Sequence, residues 1–239
     1  MTAAPASSPR FALVIDLDAC VGCHACTMAC KGWQGQDPET ALGDRDPLGP
    51  APEGVFLTRV HSYEIEPAEG PAQIVHFPRV CLQCETPPCV TVCPTGASHR
   101  RRDGVVAIDA ATCLGCGLCA WACPYGAREL DPVAGVMRKC TLCLPADPTG
   151  QAGDHLPACV RACPTGARHF GDLGDPESPA SRLVAERGGF ALMPECGTRP
   201  VARYLPPRPK DRPRAEAPLT PIAPGQGVQA WLDRLLRGR

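Results

Sequence analysis

Apolar residues along the chain fall into short runs with abrupt polar ends. Phe11-Ala-Leu-Val-Ile-Asp16 and Val105-Val-Ala-Ile-Asp109 each close in Ile-Asp four residues before a cysteine, and each predicts a β-strand. The stretches VFLTRVHSYEIE and QIVHFPRV, separated by PAEGPA, predict a β-hairpin, whereas GQDPETALGDRDPLGPAPEG before them reads as an irregular loop. Near the C-terminus the pattern turns helical: Val228, Trp231, Leu232, Leu235 and Leu236 share one face. The preceding LPPRPKDRPRAEAPLTPIAPG is Pro-rich and extended. No run of 18 apolar residues occurs, so a membrane span is not expected.

Composition changes the picture. Aromatic residues make up only 5%, and 29 prolines and 24 glycines place the sequence close to the level at which an ordinary hydrophobic core becomes doubtful. The 17 cysteines offer another interior. They fall into four groups, Cys20, Cys23, Cys26 and Cys30; Cys81, Cys84, Cys89 and Cys93; Cys113, Cys116, Cys119 and Cys123; and Cys140, Cys143, Cys159 and Cys163, with Cys196 left over. The first and third follow C-x2-C-x2-C-x3-C, the spacing that wraps a [4Fe-4S] cube, with the fourth sulfur reaching a different cluster. Sixteen grouped thiolates suit four [4Fe-4S] clusters and leave no position for a three-iron one. Such clusters crosslink distant segments and couple folding to metal binding. Disulfides would need a secretory context, and MTAAPASSPR lacks the basic start of a signal sequence. Zinc suits the fourth group alone, because three cysteines two residues apart crowd a tetrahedral ion. Cys196, without partners at ligand spacing, reads as a free structural thiol.

The groups repeat in an informative order. The first and third are regular and follow the Ile-Asp strands, while the second and fourth are irregular and close in Cys-Pro-Thr-Gly-Ala, at Cys93–Ala97 and Cys163–Ala167. The third ends in Cys123-Pro-Tyr-Gly-Ala127, and Cys30 is followed by no such sequence. The second and third groups therefore form one continuous ferredoxin-like module. Docking the fourth group's end onto the first group's strand rebuilds the same arrangement across the ends of the chain. The expected fold is α+β: two bacterial ferredoxin-like [4Fe-4S] modules, the central one inserted into the other, with a β-hairpin insertion and an extended Pro-rich C-terminal arm. Its expected parts are a disordered N-terminus at 1–9, a first half from 10–30 plus 134–196, a loop and hairpin at 31–80, a second half at 81–133, and a basic arm at 197–239 ending in a short amphipathic helix. Crossed ligation predicts four ligand sets. They are Cys20, Cys23, Cys26 and Cys163; Cys30, Cys140, Cys143 and Cys159; Cys81, Cys84, Cys89 and Cys123; and Cys93, Cys113, Cys116 and Cys119.

Nothing in the chain reads as a nucleophile constellation or substrate pocket, so the expectation is an electron conduit rather than an enzyme. Charge is uneven: residues 199–239 carry nine Arg or Lys against Asp211, Glu216 and Asp233, although the whole chain is at -1. A basic arm fits docking on a protein partner better than nucleic acid, which is not expected as a partner. Lys31, Arg138 and Lys139 adjoin ligands and read equally as charges that raise a cluster potential or as solvated groups.

The motifs CPTGA, CPYGARELD, RKCTLC and PACVRACPTGARHFGD resemble the four-cluster iron-sulfur subunits of the molybdopterin oxidoreductases related to dimethyl sulfoxide reductase. VIDLDACVGCHACTMACKGW, DPLGPAPEGVFLTRVHSYE and GGFALMPECGTRPVARYLPPR are similar, more narrowly, to the iron-sulfur subunits of membrane-bound sulfite dehydrogenases. The resemblance covers residues 10–205. It implies a molybdopterin catalytic subunit and a quinone-reactive membrane subunit as partners, a peripheral place on the cytoplasmic face of the inner membrane, and the ligand pairing above. Alternatives within the family are subunits of dimethyl sulfoxide, polysulfide, thiosulfate or tetrathionate reductases. A free-standing polyferredoxin is the alternative of another class.

Overall fold

The computed structural model describes residues 9–34, 55–65, 72–145 and 155–208. The first of these stretches carries β1 (Phe11–Asp16) and α1 (Ala25–Gln34), and the next two open with β2 (Thr58–Ile65) and β3 (Gln73–Val80). Then come α2 (Pro88–Thr91), β4 (Ser98–Arg100), β5 (Val106–Ile108), α3 (Leu118–Trp121), β6 (Glu129–Asp131) and β7 (Val136–Arg138). The last elements are α4 (Ala158–Arg161), β8 (Arg168–Asp172), α5 (Pro179–Arg187), a 3-10 turn at Pro194–Cys196 and β9 (Arg203–Leu205).

The central strand is β1, where Ala12, Leu13, Val14 and Ile15 are all fully buried. A continuous apolar run needs cover on both faces, and it has it. β1 pairs antiparallel with β8, from Phe11↔Asp172 to Ile15↔Arg168, and parallel with β9, from Val14↔Arg203 to Asp16↔Leu205. The strand before the first cysteine group and the strand after the fourth thus lie side by side. A matching junction is made by β4 and β5, paired from Ser98↔Ile108 to Arg100↔Val106. The likeness reaches single hydrogen bonds. Asp16 N donates to Ala167 O and Asp109 N to Ala97 O, both at 2.8 Å. The Asp16 carboxylate accepts from Asp18 N and that of Asp109 from Ala111 N, both at 2.9 Å. Each Ile-Asp therefore ends its strand in an aspartate-closed turn that leads into the next cysteine loop.

On the other face of β1, α5 packs through Ala180 against Val14 and Leu205. A Cβ on Gly171 would stand 2.6 Å from the Ala180 Cβ, so glycine is required there. The Ser178 hydroxyl accepts from Ser181 N at 3.1 Å, Pro179 opens the helix, and Gly188 at φ 61 ends it. These signals were present in the sequence, but the weak apolar periodicity between them hid the helix. β2 and β3 form an antiparallel hairpin, Thr58↔Val80 to Ile65↔Gln73, whose base is buried and whose far end exposes Tyr63 and Ile65. Phe77 stacks on Tyr204 at 4.5 Å, and the Tyr204 hydroxyl donates to Pro78 O at 3.1 Å.

Three expected boundaries need correction. The division between 133 and 134 falls inside the β6–β7 hairpin, paired Glu129↔Arg138 to Asp131↔Val136. Asp131 O accepts from Gly135 N at 2.9 Å and its carboxylate from Val133 N at 3.0 Å, closing the turn between the two strands. The arm does not begin at 197: Val201, Ala202, Tyr204 and Leu205 are buried, and Val201 N and Ala202 N both donate to Leu82 O. The insertion does not begin at 31 either, because α1 runs on to Gln34. The N-terminal stretch 1–8, the loop at 35–54 and the helix expected around Val228–Leu236 lie outside the described residues.

Candidate metal centres

Each cysteine group begins with the same backbone device. The residue before the second cysteine is left-handed in all four: Gly22, Gln83, Gly115 and Leu142, at φ 69, 50, 63 and 60. The backbone thereby curls tightly around its sulfurs. Where the residue is not glycine the conformation costs about 1–2 kcal/mol. At Gln83 the side chain offsets this cost, with Nε2 donating to Cys140 O at 2.9 Å and Oε1 accepting from Val106 N at 3.0 Å. The next cysteine enters a helix: Cys26 and Cys30 lie on α1, Cys89 on α2, Cys119 on α3 and Cys159 on α4. After Cys93, Cys123 and Cys163 the proline stops the turn, and Gly96, Gly126 and Gly166 reverse the chain with positive φ.

Two cavities open in the continuous module. One is lined by Cys93, Cys113, Cys116 and Cys119, with Ile108, Leu118 and Met137. The other is lined by Cys81, Cys84, Cys89 and Cys123, with Leu82, Tyr125 and Arg128. These are two of the four sets expected from spacing. Elsewhere the sulfurs are seen through their mutual influence. Burial pushes the Cys30 thiol well up, and Cys140, Cys159 and Cys143 push it further. Burial raises Cys20, with Cys26 and Cys163 adding to the rise. Cys23 stands exposed in the same loop. Burial takes Cys84 up to about 12, with Cys81 adding to it, and Cys140 likewise up to about 12, where Cys159 and Cys81 add. Cys140 and Cys81 are therefore near neighbours across two cysteine sets.

None of the seventeen cysteines forms a disulfide, and Cys196 is exposed. Among the described residues no three His, Cys, Asp or Glu side chains converge as around a single ion. In the continuous module the donors stand instead around cavities, as a polynuclear inorganic cluster requires, and backbone amides point at cysteine sulfurs: Ser98 N to Cys93 Sγ at 3.3 Å, Met137 N to Cys113 Sγ at 3.4 Å and Leu142 N to Cys140 Sγ at 3.4 Å. Such bonds tune a cluster's potential. The residues present fit [4Fe-4S] clusters.

The sequence did not single out Arg128 and Arg168, buried to 5% and 3% exposure. Arg128 Nη2 lies 2.8 Å from Cys89 Sγ. Both follow Cys-Pro-x-Gly-Ala, which was the available signal. Of the charges that adjoin ligands, Lys139 is buried and donates to Val106 O and, at 2.6 Å, to Cys140 O. Lys31 is buried too, its Nζ 3.0 Å from Val55 O and 4.0 Å from the Phe56 ring centre. Arg138 is half-buried and pairs with Asp131 at 2.5 Å. Trp121 is 91% exposed and does not pack inward.

Comparison with known proteins agrees with this geometry. Residues 72–173 and 19–97 each match a 4Fe-4S dicluster domain. The chain is 52% identical to a sulfite dehydrogenase subunit of Allochromatium vinosum, over 83% of its own length and 84% of that relative. It belongs to this family of iron-sulfur subunits. It is 38% identical to a tetrathionate reductase subunit of Salmonella typhimurium, covering 82% of its own length and 72% of the relative. With a component of the polysulfide reductase of Wolinella succinogenes it shares 34%, over 82% and 94%. It is an electron-transfer subunit carrying [4Fe-4S] clusters. The 19–97 match follows sequence order through the first two cysteine groups, whereas the sheet joins β1 to β8. No helix among the described residues is long and apolar enough to cross a membrane.

Proposed function

We propose that this protein carries four [4Fe-4S] clusters and relays electrons from a molybdopterin subunit that oxidises sulfite to a quinone-reactive membrane subunit, on the cytoplasmic face of the membrane. The count is supported by sixteen cysteines in four groups along the chain, with Cys163 beside Cys20 and Cys26, and Cys30 beside Cys140, Cys143 and Cys159. The other sets are Cys81, Cys84, Cys89 and Cys123, and Cys93, Cys113, Cys116 and Cys119, and each lines its own cavity. When bound, each cluster takes up and gives up one electron. In this reading the central module is inserted into the other, as the β1–β8 and β4–β5 junctions suggest. Neighbouring sulfurs give an order for the sets. Cys163's set adjoins that of Cys159, the Cys140–Cys81 approach leads to the third, and Arg128 lies between Cys89 and Cys119 of the last two.

Sulfite is favoured as the electron source by the 52% identity to a sulfite dehydrogenase subunit, against 38% and 34% to the tetrathionate and polysulfide reductase relatives. The test is an anaerobic preparation of the native complex, with iron and molybdenum counted and sulfite added. About sixteen irons per chain and bleaching of the clusters by sulfite are expected. Stoichiometric zinc with little iron overturns the cluster reading. Full iron with no response to sulfite, but oxidation of reduced clusters by tetrathionate or polysulfide, assigns the chain to a reductase instead.

A further inference from the structure

The two buried arginines repeat one another. Arg128 follows Cys123-Pro-Tyr-Gly-Ala127 and Arg168 follows Cys163-Pro-Thr-Gly-Ala167, so each leaves its last cysteine by the same turn. Each spends one Nη2 on a buried hydroxyl: Arg128 on Ser98 Oγ at 2.9 Å and Arg168 on Thr58 Oγ1 at 2.7 Å. Ser98 is the residue after Cys93-Pro-Thr-Gly-Ala97. Cys30 has no such sequence after it, and the β2–β3 hairpin delivers Thr58 to the equivalent place. In both arginines Nη1 is buried with no hydrogen-bond partner in the protein. A buried guanidinium N–H without an acceptor is costly unless something outside the polypeptide accepts from it.

Each arginine also stands between two cysteine sets. Arg128 has Cys89 of one set at 2.8 Å from its Nη2, and Cys119 of the next set also beside it. Arg168 likewise has Cys26 of one set and Cys159 of another beside it. Cys89 and Cys119 belong to different sets, as do Cys26 and Cys159. At the remaining junction, where Cys140 approaches Cys81, the buried ammonium is that of Lys139.

We propose that Arg168, Lys139 and Arg128 are a series of buried cations, one at each junction of the relay, that raise the potentials of the clusters on either side and offset their repulsion when both are reduced. The inference rests on the four-cluster reading. A thiolate-bound [4Fe-4S] cluster gains a negative charge on reduction, and a fixed positive charge in a poorly polarisable interior favours the reduced form. Arginine suits the outer junctions because its planar fork can donate in two directions and keeps its charge when buried. The three are positioning residues, since none is itself a ligand.

The test is potentiometric titration of the native complex, followed by electron paramagnetic resonance, with Arg128→Met, Arg128→Lys, Arg168→Met and Arg168→Lys, and iron counted in each. The Met variants are expected to lower the reduced-to-oxidised ratio of the two adjacent clusters at least tenfold at fixed poise, about 59 mV for one electron. The Lys variants should recover most of it. Arg128 variants should leave the Cys20 and Cys30 sets unmoved, and Arg168 variants the Cys84 and Cys93 sets. Full iron with unshifted potentials in a Met variant overturns the proposal, as does a shift in the wrong pair. If a Met variant loses iron, its Lys counterpart decides: a loaded Lys variant with near-native potentials supports a charge role, and loss of iron there too shows a purely structural one. Wild-type iron well below sixteen per chain would instead overturn the four-cluster reading.

Discussion

Gln83 shows what a single side chain does here. Fully buried and left-handed, it ties the second cysteine loop to Cys140 O of the fourth and to Val106 N of β5. Gln83→Leu removes both bonds and leaves a buried amide unsatisfied, at a cost of about 1–3 kcal/mol. Thermal unfolding under anaerobic conditions should show a lowered midpoint, with iron loss from the Cys81 and Cys140 sets preceding the rest. Nothing in the local sequence marked this residue, because its partners lie 23 and 57 positions away. The cysteines were legible for the opposite reason: the size of the cube dictates their spacing. The same logic tests crossed ligation. Cys163→Ser should perturb the resonance centre that Cys20→Ser perturbs, while Cys159→Ser should disturb its neighbour, and a common centre for Cys159 and Cys163 would refute the pairing.

At the scale of elements, strands that end in Ile-Asp could be read from sequence because the aspartate closes its own turn. The elements missed were those whose order is imposed from a distance. β9 is three residues whose strand character comes from pairing with β1 and from the bonds that Leu82 O accepts. The β6–β7 turn is likewise fixed from outside, its Gly135 carbonyl packed against the third cysteine loop: a Cβ on Gly115 would stand 2.3 Å from Gly135 O. Gly115→Ala therefore must displace one of two backbones, and it should abolish the signal of the Cys93, Cys113, Cys116 and Cys119 set. Gly96→Ala, at φ 71 with nothing within 4 Å of the added methyl, bears only the left-handed strain of about 1–2 kcal/mol and should keep its iron. Equal iron loss in both would show that conformation, not the hairpin, decides at Gly115.

For the whole molecule, the composition that makes an ordinary core doubtful is met by a core that cysteines share with aliphatics. Cys26, Cys140 and Cys159 pack in one cluster with Leu13, Ile15, Leu82, Leu142 and Tyr204. Val201, Ala202 and Tyr204 belong to that core as well, so two truncations should part company. Ending the chain at Gly197 removes Val201, Tyr204 and Leu205, each worth about 1.5–3 kcal/mol of burial. That sum rivals the 5–15 kcal/mol of a typical domain, and no stable, cluster-loaded protein is expected. Ending it at Arg208 keeps β9 and the Arg187 bond to Pro206 O at 3.3 Å. All clusters should then remain, by iron count and visible absorption. What leaves is Lys210, Arg212, Arg214, Arg234, Arg237 and Arg239 against Asp211, Glu216 and Asp233, together with the apolar face of Val228, Trp231, Leu232, Leu235 and Leu236. A net positive, Pro-rich segment with one apolar stripe suits docking on an acidic partner surface. The shorter chain is therefore expected to co-purify poorly with its partner subunits above moderate salt, where charge attraction is screened. If yield, salt resistance and sulfite-to-quinone electron transfer all match the full chain, residues 209–239 take no part in assembly.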